Sequence, residues 1–177
     1  MSLPESGQGD ALAGVPARSY RGPGYRHMAA RFDDPLSGEG ARIHGGRFNP
    51  PDSFAVIYLC TTRACAAAEL RHRGERLTIG VEGLLPRVLY RYEVALDQVL
   101  DLTHRPTLKH LGISVDQITG SDQTVPRSIG QAAEAGGFQA IRGPSATGVD
   151  DVLAILPEGA VGLTAHFEER WETTADL

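Results

Sequence analysis

Residues 44 to 51 read HGGRFNPP. Gly45 and Gly46 permit positive φ and close backbone approach, and Pro50 and Pro51 stiffen the exit. Between them stand Arg47 and Asn49. Arg47 carries a planar fork of donors suited to phosphate or carboxylate. A loop restricted in this way is expected to present Arg47 and Asn49 to an anionic ligand. An arginine paired with a nearby carboxylate, on glycines that only make a turn, is the plainer alternative. Farther along, Tyr58 lies near the end of an apolar run, and Glu69 lies among Ala66, Ala67, Ala68 and Leu70. Alanines let other backbone or a flat ligand come close. They also leave Glu69 in a partly apolar setting, where a carboxylate needs a partner. A solvent-facing helical glutamate has the same local sequence. Upstream, GYRHM (24–28) sets Arg26 and His27 on adjacent strand positions, so their side chains point to opposite faces. Solvated charge on an edge strand is the alternative there.

An arginine on a first strand, a tyrosine on a later strand and a glutamate on the following element have a joint chemical logic. Breaking a glycosidic bond generates an oxocarbenium-like centre that a nearby carboxylate stabilises. Where the leaving group is already cationic, as in the nicotinamide of NAD, no general acid is needed and one glutamate suffices. An arginine then holds the pyrophosphate, and a tyrosine stacks on the ring or fixes the ribose.

These residues need elements to carry them. SYRGPGYRHMA (19–29) predicts a first strand, and the stretch 30–53 is long, irregular and rich in Gly and Pro, the mark of an ordered functional loop. FAVIYLC (54–60) is a β-branched and aromatic run that predicts a strand. The Ala-rich segment 61–74 predicts a helix with Thr61 or Thr62 as N-cap and Gly74 as its end. Further strands are predicted over 87–96, 138–143, 151–157 and 161–168, and helices over 104–112 and 125–137. Strands with helices interspersed irregularly point to one α+β domain, a mixed or antiparallel sheet core with flanking helices. The expected boundaries are a flexible tail over 1–16, the domain over 17–170 and a C-terminal tail over 171–177.

Composition excludes several classes. The chain has 177 residues, 41% hydrophobic and 22% charged, as in an ordinary soluble domain. A net charge of −5 argues against a general nucleic-acid binder. No apolar run is long enough to span a bilayer, and MSLPESGQGD lacks the regions of a signal peptide, so a cytoplasmic location is the expectation. Cys60 and Cys65 are the only cysteines, and with six scattered histidines they give neither a disulfide framework nor a zinc pattern. No metal and no cofactor are expected.

The segment YRHMAARFDDPLSGEGARIHGGRFNPPDSFAVIYLCTTRACAAAEL (25–70) resembles the RES-domain family, toxins of bacterial toxin–antitoxin pairs whose partner is an Xre-like antitoxin. The matching residues are Arg26, the GGRFN loop (45–49), Tyr58 and Glu69, and GPSA (143–146) before a strand-like DVLAILP also looks like the family. The resemblance implies a fold related to ADP-ribosyltransferases and action on NAD as substrate, by phosphorolysis or hydrolysis of the nicotinamide–ribose bond, with inorganic phosphate a possible co-substrate. Transfer of ADP-ribose to a protein and a catalytically silent NAD-binding module are the alternatives. By resemblance Arg26, Tyr58 and Glu69 are catalytic or substrate-positioning residues, and Arg47, His27, Asn49 and Thr124 serve NAD or phosphate, with Ser128 an alternative to Thr124. The chain departs from the pattern at His27, where a tyrosine is frequent and where the charge of an imidazole is expected to vary near neutral pH. Phe48 stands for a more usual tryptophan, and Thr124 for a serine. The implied partner is an antitoxin that blocks the site within a higher-order hetero-oligomer.

Overall fold

A computed structural model describes residues 10–177. In chain order the elements are β1 (Arg18–Ala29), α1 (Glu39–His44), β2 (Ile57–Cys60), α2 (Arg63–Arg76), β3 (Arg87–Asp101), α3 (Arg105–Leu111), α4 (Val115–Thr119), α5 (Thr124–Ala135), β4 (Ala140–Pro144), β5 (Asp151–Ile155), α6 (Pro157–Ala160) and β6 (Thr164–Trp171). The α+β reading holds. The short helices α1, α4 and α6 lie where the sequence predicts none, and α6 takes the last residue of the strand predicted over 151–157. The segment 30–53 is thus a loop interrupted by one helix.

The six strands form one mixed sheet whose pairings run β1–β2–β5–β4–β3 and return from β3 to β1, with β6 added on β3. All pairs are antiparallel except β3–β4. The strand alternation sorts side chains to two sides of this ring. Inside pack Ile57 and Leu59 of β2, Tyr92, Val94, Leu96 and Val99 of β3, Ala140 of β4, and Leu153 and Ile155 of β5. Outside, one cluster joins Phe48, Leu100, Ile141 and Ala154 to Ile129, Ala132 and Ala133 of α5. A second joins Cys60 and Leu89 to Cys65, Ala66, Ala67 and Leu70 of α2 and to Trp171. The hydrophobic drive on these outer faces therefore seats α5 and α2 on the ring, each on its own cluster.

Both expected tails need correction. Leu12 and Val15 are buried in the α5 cluster, so the part of the assigned flexible tail that contains them packs against the domain. Residues 1–9 of that segment lie outside the described residues. At the other end β6 runs through Trp171, which is fully buried. Arg63 bonds to the Asp176 carbonyl, and Arg71 donates to that of Leu177 at 3.0 Å. An isolated reading of WETTADL could not anticipate this, because the apolar partner of Trp171 is a helix a hundred residues earlier. Among the described residues no helix is long and apolar enough to cross a membrane.

Candidate active site

β1 and β2 meet at one register position, Tyr25 opposite Cys60. Beyond it β1 continues against β3 alone and β2 against β5 alone. The ring therefore splits at this point, with Arg26 and His27 on one lip and Tyr58 on the other. Helix α2 starts directly after β2. The Thr62 hydroxyl caps it by accepting from the Cys65 N–H at 3.0 Å, and its small residues Ala66 and Ala67 sit flat on the sheet. This seating brings Glu69 to the split.

The HGGRFNPP loop is held from several sides. Gly45 has φ +74°, and a Cβ on Gly46 would lie 2.6 Å from the Tyr58 hydroxyl, so both glycines are required. The Phe48 N–H donates to the Tyr58 hydroxyl at 2.8 Å, and that hydroxyl donates to Asn49 Oδ1 at 2.8 Å. Asn49 Nδ2 donates to the Ala41 carbonyl at 2.7 Å and also reaches those of Pro50 and Phe54. Asn49 is fully buried. The expectation that it faces an anion is therefore corrected: Asn49 is the clamp of the loop, and its polar atoms are spent inside the protein. The Tyr58 phenol is pushed up by burial, against the Phe48 N–H and the guanidinium groups of Arg127 and Arg47, and remains a neutral hydroxyl at any physiological pH.

Arg47 is anchored on one side only. Its Nη1 donates to the carbonyls of Ile118 and Gly120 at 2.7 and 2.9 Å, at the end of α4. Its remaining donors have no protein partner among the described residues. Burial lowers its proton affinity, the Glu69 carboxylate raises it and Arg76 lowers it, so Arg47 and Glu69 feel one another across the site. An arginine remains protonated throughout.

Glu69 is likewise fixed through a single oxygen. The Ser145 hydroxyl lies 2.6 Å from Glu69 Oε1 and 2.6 Å from the Thr147 hydroxyl, and the Thr147 N–H donates to it at 3.1 Å. Ser145 is buried. Glu69 forms no ion pair among the described residues, and Oε2 has no partner there. Ser145 is the positioning residue that reading the residue types alone missed. Its only signal was the GPSA segment.

The early arginine has a different place. Arg26 lies on the inner side of the ring, opposite Tyr90 in register. Its Nη1 donates to the carbonyls of Pro35 and Ser37 at 3.1 and 2.9 Å, and the Tyr92 hydroxyl donates to the same Pro35 carbonyl at 2.5 Å. Arg26 thus ties the segment after β1 to the split. It makes no hydrogen bond or ion pair with Tyr58, Arg47 or Glu69. His27 points to the other face, as alternation requires, with its ring 6.1 Å from that of Trp171. Burial first, then the charges of Arg87, Arg73 and Arg26, hold its pKa down to about 3. The expectation of a charge that varies near neutral pH is corrected: His27 is neutral there.

Thr124 is exposed at the first turn of α5. With Ser121, Asp122, Gln123, Arg127, Ser128 and Gln131 it lines a groove of about 530 Å³, so both candidate hydroxyls face one space. Arg127 Nε donates to the Gly46 carbonyl at 3.1 Å and joins this groove to the loop.

Comparison with known proteins places this geometry. Residues 17–176 match the family described as the RES domain. The chain is 35% identical over 131 residues to proteins named NAD(+) phosphorylase MbcT in Mycobacterium tuberculosis and Mycobacterium bovis, covering 73% of this chain and 70% of theirs. It is 32% identical over 144 residues to a Mycobacterium tuberculosis protein named probable NAD(+) phosphorylase Rv3189, covering 77% of this chain and 65% of that one. Among solved structures, a chain of the Mycobacterium tuberculosis MbcT–MbcA toxin–antitoxin complex superposes with a TM-score of 0.79 at 24% identity, over 97% of this chain and 94% of that one. The fold is therefore shared with that chain, and the protein belongs to the RES-domain family.

Proposed function

We propose that this chain degrades NAD by splitting the nicotinamide–ribose bond, with orthophosphate or water as acceptor, and serves as the toxin of a toxin–antitoxin pair. The observation that carries the reading is Glu69, which Ser145 holds by one oxygen while the other has no partner among the described residues. The relatives named NAD(+) phosphorylase support the choice of substrate. As the bond breaks, its electron pair leaves with the nicotinamide, which departs neutral, and positive charge develops at the ribose anomeric carbon. The Glu69 carboxylate stabilises that charge. Phosphate oxygen then bonds to the anomeric carbon and gives ADP-ribose 1″-phosphate, or water adds, loses a proton and gives ADP-ribose. Arg47, anchored on one side, turns its free donors to the anionic groups of the substrate or the acceptor. Tyr58 contributes its ring, since its hydroxyl is committed to the loop. Arg26 shapes the lip through residues 35–37.

A cytoplasmic protein that drains NAD must be silenced in its own host. In this reading an Xre-like antitoxin covers the split and places a carboxylate near Arg47 and Arg26, within a larger hetero-oligomer. The likeness to a chain of a toxin–antitoxin complex supports such a partner. Incubation with NAD labelled in its adenosine part tests the reaction. Released nicotinamide with a labelled small product is expected. Label retained on protein points to ADP-ribosyl transfer, and no nicotinamide at any phosphate concentration overturns catalysis.

A further inference from the structure

Arg87 is the one arginine that is buried among the described residues, at 7% exposure. It opens β3, where its backbone is paired on both sides, with Ala29 of β1 and Trp171 of β6. Alternation puts its side chain on the outer face, the face of Leu89, whose strand partner is His27. Among the described residues no carboxylate lies within ion-pair distance of it, and none offers a hydrogen-bond partner to its Nε, which is sealed from solvent. The Nδ1 of His27 is sealed and unpartnered in the same way.

The charged neighbours of Arg87 make its burial harder to explain as structure. They are Arg73, on the helix that packs against the outer face of Leu89, and Arg31, two residues beyond the strand partner of Arg87 and with its guanidinium over the Phe32 ring; both are cations, and with burial they bring its pKa down to about 10. An uncompensated buried charge is expensive, and a like-charged neighbourhood adds to the cost. Structural arginines elsewhere in the chain show the contrast: Arg142 is paired with Asp151 and Arg63 with Glu169. Arg73 also has a position that matters, four residues and one helical turn after Glu69 on the same face of α2. A neutral imidazole can donate from Nδ1 in one of its tautomers.

A ligand that satisfies three guanidinium groups at once must carry more than one charge and several acceptor oxygens. A lone carboxylate supplies one charge and two oxygens. We propose that Arg87, Arg73 and Arg31 form a binding site for a phosphate-class oxyanion, with His27 as its floor, one turn of α2 from Glu69. Two sources share this chemistry: orthophosphate and the phosphates of a nucleotide. Naming the source rests on the NAD reading above, whereas the site itself does not.

The test uses the full chain and two probes, orthophosphate and ADP-ribose. Thermal unfolding is followed as each is titrated, with sodium chloride at matched ionic strength as the screening control. Arg73→Gln changes an exposed position and leaves the fold alone, so it decides the matter even if Arg87→Met fails to fold. The expected result is stabilisation by at least one probe beyond that of chloride, with its midpoint concentration raised tenfold or more in Arg73→Gln and the effect lost in Arg87→Met. Where Arg87→Met folds, it should melt no lower than wild type in phosphate-free buffer, because the substitution removes a buried charge that the apo-protein leaves unpaired. Kinetics then separate the sources. A raised half-saturating phosphate concentration with unchanged KM for NAD assigns the site to orthophosphate, and a raised KM for NAD assigns it to the nucleotide. Wild-type midpoints for both probes in Arg73→Gln overturn the site. A wild-type chain that binds phosphate through these arginines yet consumes no NAD keeps the site and refutes the NAD reading.

Discussion

The GGRFN loop and the Arg87 end of α2 are both rich in polar atoms, and they treat them in opposite ways. In the loop nearly every polar atom has a protein partner: Asn49 reaches Ala41, Pro50 and Phe54, and Tyr58 bridges Phe48 and Asn49. Where β1 and β3 meet beneath α2, the Arg87 Nε and His27 Nδ1 have none among the described residues. A buried donor that stays unpaired costs roughly 1–3 kcal/mol, and more when charged. Satisfied groups therefore build the frame, and unsatisfied ones are left for something that arrives. Arg47 and Glu69 stand between the two cases, each held through one atom or one oxygen and free at the other.

The contrast can be broken from the frame side first. Asn49→Ala removes one acceptor and one donor group from a fully buried site and leaves the Tyr58 hydroxyl, the Ala41 carbonyl and a cavity behind. A loss of about 3 kcal/mol in unfolding free energy is expected, measured by urea denaturation. A loss below ~1 kcal/mol would mean that Asn49 is not the clamp. Arg47→Lys comes next. It keeps the charge and loses the planar fork, so kcat/KM for NAD should fall about tenfold or more with an unchanged circular dichroism spectrum. An unaltered kcat/KM would return Arg47 to a purely structural anchor of α4.

A smaller effect sharpens the other region. The pKa of His27 falls from 6.5 to about 3 on folding. Between those values the unfolded chain binds the extra proton and the folded chain does not. The neutral imidazole therefore contributes its full stability above pH 6.5 and loses it as pH falls towards 3. The expected slope from this residue is up to ~1.4 kcal/mol per pH unit. His27→Gln should flatten the dependence of unfolding free energy on pH between 6 and 4, and an unchanged slope would place the acid sensitivity elsewhere.

Much of the frame was legible in the residue types. The GGRFN loop read as a restricted turn, Thr61 or Thr62 as a cap, which Thr62 supplies, and 104–112 as a helix, which Gly112 closes, and each follows from local backbone chemistry that a single segment carries. Gly112 has φ +66°. Gly74, by contrast, does not end α2. It is buried where a Cβ would lie 2.6 Å from the backbone of Gly80 and Val81, a contact across a turn that no local pattern records. The same limit explains the misread tail at Trp171 and the misread role of Asn49. An asparagine between an arginine and two prolines looks like a ligand group until the Ala41 carbonyl and Tyr58 are known to face it. Arg87 had no reading beyond its place at the start of the strand predicted over 87–96, because its burial depends on β3 pairing with both β1 and β6.

The chemistry at the split depends on the free oxygen of Glu69. Nicotinamide release from NAD by wild type and by Glu69→Gln, side by side at saturating phosphate, is the direct measurement, with melting temperatures taken on the same samples. The amide keeps an oxygen for the Ser145 hydroxyl and removes the negative charge. The variant is expected to release nicotinamide about 100-fold more slowly or worse, with a melting temperature close to that of wild type. Equal rates in the two proteins would contradict the role assigned to Glu69, and with it the chemistry proposed for the split in the ring.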